Sequence, residues 1–152
     1  MLRKLKAFFS EFEQDTSHSA QQLQIAAAAL LIELSKADFA RDPREQSAIM
    51  AAIRNCYQVD EATLAELVRE AETASAKSTS LYEFTRVINA HCDEIEKFKL
   101  VLELWRVANA DGNIDKYEDN LIRKIADLIY LPHPQYIRAK LEALGKLDSE
   151  AD

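Results

Sequence analysis

Residues 104–130 read LWRVANADGNIDKYEDNLIRKIADLIY, and this stretch decides the fold that the sequence predicts. Apolar residues recur at helical spacing on both sides of a short polar centre, which contains the triplet Ala110, Asp111 and Gly112. Asp115 and Glu118 follow at the spacing of a helix N-cap and its reciprocal partner three residues on. The stretch therefore predicts one helix, a short corner, and a second helix that opens at Asp115.

The same pattern occurs earlier in the chain, in residues 31–57, which read LIELSKADFARDPREQSAIMAAIRNCY. When the two segments are aligned at a shift of 73 residues, seven of the 27 positions are identical. The identical pairs are Leu31/Leu104, Ala37/Ala110, Asp38/Asp111, Asp42/Asp115, Glu45/Glu118, Ile49/Ile122 and Tyr57/Tyr130. Two repeated helix–corner–helix units of this kind predict a packing about a pseudo-twofold axis.

Helical periodicity continues through the rest of the chain, and its start and stop signals divide it into about eight helices. Only two glycines and three prolines occur among the 152 residues, too few for the tight turns that sheet folds need. We therefore predict an all-α fold with a single helical domain over residues 1–147. A short acidic tail follows at residues 148–152.

Several helix boundaries are predicted from local signals. The first helix has an apolar face made of Leu2, Leu5, Phe8, Phe9 and Phe12. Polar residues separate it from a second helix, from about Ser19 to Ala37, whose apolar stretch should be central. Residues 72–80 (ETASAKSTS) are small and polar and predict a linker, and Ser80 with Glu83 predicts the start of the helix that follows.

Composition and charge exclude several classes of function. The chain has 26 acidic and 19 basic residues, so its formal net charge of -7 repels a phosphate backbone and no nucleic-acid partner is expected. The shortage of glycine excludes the glycine-rich phosphate loops. The longest apolar run, residues 25–32, is far shorter than the roughly 20 residues that a membrane-spanning helix requires. Cys56 and Cys92 fit neither a metal-binding spacing nor a disulfide framework, so we expect reduced thiols. Residues 1–15 do not resemble a signal peptide, and we therefore expect a cytoplasmic protein.

The acidic residues of the two corners have different explanations. Four of them fit helix capping, which contributes about 1 kcal/mol for each cap. These four are Asp42 with Glu45 in the first corner and Asp115 with Glu118 in the second. Asp38 and Asp111 instead follow the carboxyl end of a helix, where the macrodipole disfavours a carboxylate by roughly 0.3 to 1 kcal/mol. A partner should therefore compensate each of these two aspartates.

The free amides at the start of the next helix, a basic neighbour such as Arg41, or a bound cation would each compensate them. The run from Asp111 to Asp115 imitates the start of a calcium loop, but the twelfth position holds Ile122 and the glycine is misplaced, so no EF-hand is predicted. A looser oxygen site for Ca²⁺ or Mg²⁺ remains open. Its candidate ligands are Asp111, Asn113, Asp115 and Glu118 in the second corner, and Asp38, Asp42 and Glu45 in the first, where Phe39 and Pro43 replace polar or flexible positions.

No catalytic constellation stands out in the sequence. His18, His91 and His133 share no zinc-binding spacing, and the serines lie in no GxSxG turn. Nothing therefore identifies a nucleophile or a general base, and we expect no enzymatic activity.

Three stretches resemble the TerB family, named for tellurite-resistance protein B, and specifically its stand-alone bacterial branch. They are LWRVANADGNIDKYEDNLIRKIADLIYLPH (residues 104–133), AAAALLIELSKADFARDPRE (26–45) and LYEFTRVIN (81–89), and the resemblance covers about residues 2–142. It implies an all-helical TerB-like fold without established enzymatic activity. It also implies an association with tellurite or other metal and oxidant stress, in which such modules have been suggested to bind divalent metal or to act in membrane-linked complexes. The family features correspond to Asp111, Gly112, Asp115 and Glu118, and to Asp38, Asp42 and Glu45, although Phe39 stands where the first corner would have glycine.

The leading hypothesis is a non-enzymatic cytoplasmic module whose acidic corner binds a divalent cation or a basic protein partner in a stress response. A second hypothesis is a membrane-surface adaptor in which residues 1–14 insert their apolar face and present Arg3, Lys4 and Lys6 to anionic lipid. For the same residues we expect docking on the body of the domain, because each large apolar side chain contributes roughly 1.5 to 3 kcal/mol when buried. A third hypothesis, a metal-dependent hydrolase, needs an open coordination position and a nearby base. The oligomeric state is not predicted.

Overall fold

Seven α-helices form the part of the chain that the structure, a computed structural model, describes, namely residues 2–36 and 43–146. In chain order they are α1 (Leu2–Lys36), α2 (Pro43–Cys56), α3 (Glu61–Lys77), α4 (Tyr82–His91), α5 (Glu94–Ala108), α6 (Lys116–Leu128) and α7 (His133–Ala143). Side chains are described from residue 19 onward in α1 and from residue 46 onward in α2. The all-α fold is confirmed, with a helix count close to the eight expected. The predicted acidic tail, residues 148–152, lies outside the described residues.

Helix α1 corrects the predicted break before Ser19. It runs without interruption for 35 residues, so the first two predicted helices are one. The polar run between them contains neither glycine nor proline, and Asp, Thr and Ser each cost a helix at most about 0.7 kcal/mol relative to alanine. Propensity of that size does not end a helix. The apolar side chains at residues 2–12, and the docking predicted for them, lie outside the described side chains.

Helix α3 corrects the predicted linker at residues 72–80. The helix continues to Lys77, and Ser75 within it is only 3% exposed. Ala71 is buried and Ala74 packs against the core, where α3 contacts α1. The small residues that resembled a linker are therefore part of a packed helix. Ser80 does not cap the next helix, since Leu81 occupies the N-cap position of α4 and makes no side-chain capping bond.

The two repeated units have matching helix boundaries. Helix α2 begins at Pro43 and α6 at Lys116, which is the shift of 73 residues that also aligns the sequences. Some equivalent positions are buried to the same degree, as for Ile49 and Ile122, which are 2% and 0% exposed, whereas Tyr57 packs against the core and its equivalent Tyr130 is 78% exposed. The repeat is thus visible in helix boundaries and burial, while superposition of the two units stays a prediction.

The core is built around α5 and the second half of α1. Helix α5 contacts α1, α2, α6 and α7, and most of its residues from Leu100 to Ala108 are buried. The apolar stretch of α1 that was expected to be central is also buried, from Ala26 to Ile32. The corner that follows α5 is consequently attached to a helix that is largely buried. Within the described ranges, no helix is long and apolar enough to cross a bilayer.

Candidate functional site

The second corner, residues 109–115, joins α5 to α6 by a tight backbone path. The amide of Ala110 donates to the carbonyl of Val107 at 3.2 Å, and that of Gly112 donates to the carbonyl of Asn109 at 2.9 Å. Gly112 has a φ of 83°, a conformation that strains any residue with a Cβ atom. The family-like triplet therefore has a structural reason for its glycine, which lets the chain reverse after α5.

Asp111 is the half-buried acid of this corner. Its Oδ1 accepts a hydrogen bond from the backbone N–H of Asn113 at 3.0 Å, closing a local turn. The structure thus places a backbone amide beside this carboxylate. That amide belongs to the corner itself, whereas the amides expected to compensate Asp111 were those in the first turn of α6. Arg41 lies outside the described residues.

Asp115 and Glu118 form the capping box that their spacing predicts. Asp115 Oδ1 accepts from the backbone N–H of Tyr117 at 3.0 Å, and Glu118 Oε1 accepts from the backbone N–H of Asp115 at 3.2 Å. Both reciprocal bonds of the box are present. Glu118 is only 1% exposed, so this capping residue is also part of the buried body. The start of α6 is therefore fixed by the same acids that were candidates for a cation.

The arrangement of these acids bears on the predicted Ca²⁺ or Mg²⁺ site. Among the described side chains, no three His, Cys, Asp or Glu residues form a group that could hold a metal ion. Three of the four candidate ligands, Asp111, Asp115 and Glu118, each direct one oxygen at a backbone amide. In this arrangement the four residues do not make a ready cation cage, and cation binding stays a prediction.

The first corner cannot be compared in the same detail. Asp38 and Asp42 lie outside the described residues, and so does the side chain of Glu45. Pro43 is the first residue of α2, as its fixed φ predicts for a helix start.

A buried carboxylate on α5 was not anticipated from the sequence. Glu103 is 1% exposed and forms an ion pair with Arg106 Nη1 at 2.6 Å. Asn55 of α2 donates from Nδ2 to both of its oxygens at 3.4 Å. Its sequence signal is a glutamate inside an apolar run with an arginine three residues on. This group ties α2 to α5 and gives the carboxylate the charged and polar partners that a buried acid requires.

The two cysteines are not activated nucleophiles. Burial, followed by the nearby carboxylate of Glu103, raises the pKa of Cys56 to about 12. Burial and the carboxylate of Glu96 raise the pKa of Cys92 to about 11. A thiol reacts as its thiolate, so both side chains are held in the unreactive form at neutral pH.

Comparison with known proteins gives one match. The family model described as tellurite resistance protein TerB matches residues 24–141, which is well over half of the chain. Neither a curated protein nor a solved structure matches the chain significantly. The chain belongs to the TerB family.

Proposed function

We propose that this TerB-family chain is a non-enzymatic cytoplasmic module that binds a basic segment of a protein partner through its second corner, in the response to metal, tellurite or oxidant stress. The observation that carries the proposal is the Asp111 carboxylate, which is held in position by Asn113 at the outer end of a firmly packed helix. The stress setting rests on the family alone.

The start of α6, which follows the corner, offers an aromatic contact to a basic partner. Tyr117, in the first turn of α6, is 62% exposed, while Asp119 on the same turn is already paired with Lys140 Nζ at 3.9 Å. Lysine and arginine side chains pair with carboxylates and also pack over an aromatic ring, which is attracted to a cation. Exposed tyrosines are enriched in protein interfaces for the same reason of combined apolar and polar contact. On a chain of net charge -7, such a corner attracts a basic segment from a distance as well as in contact.

Two further observations support this setting. Cys56 and Cys92 are both free thiols, which is usual for proteins of a reducing compartment. A basic side chain needs only one or two carboxylates, whereas Ca²⁺ takes about six to eight oxygen ligands. Asp111, Asp115 and Glu118 each accept from a backbone amide, and no three such side chains among the described residues form a group that could hold a metal ion. The corner therefore meets the first requirement more readily than the second.

The proposal is tested by the pair Asp111→Asn and Asp127→Asn. Asparagine keeps the oxygen that accepts from Asn113, so Asp111→Asn should fold normally while losing the charge. Asp127 is exposed on the same helix, α6, but lies outside the corner, so its variant is matched in charge. The probe is a fluorescein-labelled octapeptide of alternating lysine and serine, titrated at fixed ionic strength and followed by anisotropy.

We expect Asp111→Asn to weaken peptide binding about two- to fivefold, which corresponds to about 0.4 to 1 kcal/mol, the upper part of the range for an exposed ion pair. Asp127→Asn should change it by less than about 1.5-fold. Equal weakening in both variants would mean that net charge alone attracts the peptide, and the corner would lose its role. Calcium and magnesium titrations of the same proteins by calorimetry complete the test. A stoichiometric heat that only Asp111→Asn abolishes would assign the corner to a cation.

Membrane-surface attachment through residues 1–14 is a second candidate, favoured by the unbroken course of α1. Residues 2–14 belong to the helix that enters the core, so they are not a separate helix joined to it by a turn. The variant Phe8→Asp separates the two roles in the full chain. On a lipid-binding face it should abolish sedimentation with phosphatidylserine vesicles without changing the melting temperature. On a face docked to the body it should lower the melting temperature and leave vesicle binding, if any, unaffected.

A further inference from the structure

A polar cleft lies apart from the second corner, among α1, α3, α6 and the loop at residues 78–81. It has a volume of about 520 Å³, and no residue of the second corner lines it. Two lysines and four hydroxyl side chains share its walls: Lys36, Lys124, Ser75, Ser78, Thr79 and Ser80. Such a lining is rich in hydrogen-bond donors, and the volume is in the usual range for small-molecule sites.

One wall of the cleft is organised around Ser75. Its side chain is nearly buried, at 3% exposure, and Oγ accepts a hydrogen bond from Lys36 Nζ at 2.6 Å. The same hydroxyl donates to the carboxylate of Glu33, which also lies 3.5 Å from Lys36 Nζ. Residues from α1 and α3 thus hold one another in place before any ligand enters. Preorganised polar groups of this kind lose little side-chain entropy on binding.

Lys124 gives the cleft an excess of positive charge. The charges of Lys36 and Glu33 offset each other within their ion pair. Lys124, on α6, is exposed and has no ion-pair partner among the side chains of residues 19–36 and 46–146. A local positive charge surrounded by hydroxyl groups is selective for an anion, even though the protein as a whole carries a net charge of -7.

We propose that this cleft binds a small phosphorylated metabolite of the sugar-phosphate class. Lys124 and the hydroxyls of the 78–81 loop bind the phosphate, whose oxygens accept hydrogen bonds only. Glu33 accepts from the hydroxyl groups of the sugar, and Ser75, whose proton is already donated to Glu33, holds that carboxylate in place. A cleft of this volume exceeds what inorganic phosphate alone would fill. This ligand site goes beyond the partner binding proposed above and does not depend on it.

The test uses the full chain, labelled with ¹⁵N, and ribose 5-phosphate as the probe at fixed ionic strength. Ribose and inorganic phosphate serve as the two ligand controls. Lys124→Gln removes the charge of the cleft, and Arg123→Gln removes the same charge from the neighbouring exposed residue, which does not line it. Thermal melts followed by circular dichroism check that both variants fold.

We expect ribose 5-phosphate to shift the amide resonances of Ser75, Ser78 and Lys124. Lys124→Gln should weaken binding about tenfold or more, since a charge-assisted hydrogen bond contributes about 1.5 to 3 kcal/mol. Arg123→Gln should weaken it less than about twofold. The proposal is overturned if these resonances do not move, if both variants weaken binding equally, or if ribose binds as tightly as its phosphate. Inorganic phosphate binding as tightly as the sugar phosphate would overturn the assignment of an organic ligand.

Discussion

Replacing Trp105 by phenylalanine should leave the free energy of unfolding within about 1 kcal/mol of the parent. Among the described residues, Trp105 is the largest side chain that is completely buried. The indole ring lies between α5 and α7, with its centroid 5.7 Å from that of Tyr136. Lys140 Nζ is 5.0 Å from the ring centre. Within the described residues, the buried Nε1–H donates to no acceptor.

Three contributions decide the expected value. The smaller ring leaves a cavity that costs about 1 kcal/mol, at about 24 cal/mol per Å³. Weaker contacts with Lys140 and Tyr136 cost roughly another 0.5 to 1 kcal/mol. Against these losses, a buried donor without an acceptor costs about 1 to 3 kcal/mol, and phenylalanine removes it. The terms nearly cancel. Trp105→Ala also removes the donor, but it leaves a much larger cavity and should cost about 3 to 5 kcal/mol.

The measurement is urea unfolding of the parent and the two variants. Far-ultraviolet circular dichroism is the suitable signal, because Trp105 is the chain's single tryptophan and fluorescence would disappear with it. The comparison requires that the free energy of unfolding falls with urea concentration at the same slope in all three proteins. A change in this slope would mean that the unfolded or folded ensemble has changed. If Trp105→Phe destabilised the protein as much as Trp105→Ala, the indole N–H would have to be satisfied, for example through a buried water, and the reasoning would be refuted.

Three further predictions concern capping, pH and the buried carboxylate. Asp115→Ala should lower the free energy of unfolding by about 1 kcal/mol in urea, because the first amides of α6 lose their acceptor. Stability should be full below pH 9 and fall between pH 9 and about 12, since the unfolded chain releases thiol protons that Cys56 and Cys92 retain when folded. The fall in urea midpoint should be smaller in Cys56→Ala, and an equal fall would point to other groups. Arg106→Ala should cost about 1 to 3 kcal/mol, because Glu103 stays buried without its cation; a cost below about 0.5 kcal/mol would show that Asn55 and water suffice.

The second corner shows how far local chemistry reaches. The capping box of Asp115 and Glu118 was predicted from a spacing of three residues, because both of its hydrogen bonds close within one helical turn. The hydrogen bond from Asn113 to Asp111 is equally local, spanning two residues. Convergence of these acids on one metal ion depends on the directions of their side chains. Those directions are partly set by the hydrogen bonds that the carboxylates accept from backbone amides. The spacing predicted the engagement of Asp115 and Glu118 by backbone amides, and it did not predict the hydrogen bond that Asp111 accepts from Asn113.

Two errors in the helix boundaries have the same physical origin. The polar run before Ser19 and the small polar residues at 72–80 resemble breaks because they lack apolar periodicity. Neither contains glycine or proline, and a helix that is already formed extends at little cost through residues of moderate propensity. Packing of Ala71 and Ser75 against α1 then stabilises the extended α3, a contribution that no local window contains.

The sequence by itself determined the all-α class, the matching starts of α2 and α6 and the capping box of α6, because these depend on periodicity and on hydrogen bonds that span two to four residues. Tertiary structure alone decided the contacts between distant segments. Ser75 meets Glu33 across 42 residues of chain, and Asn55 meets Glu103 across 48. Which polar side chains are buried together depends on how the helices cross and rotate, and small differences in packing energy set that geometry. For that reason the corner was visible in the sequence, whereas the cleft and the buried carboxylate appeared only once the helices were packed.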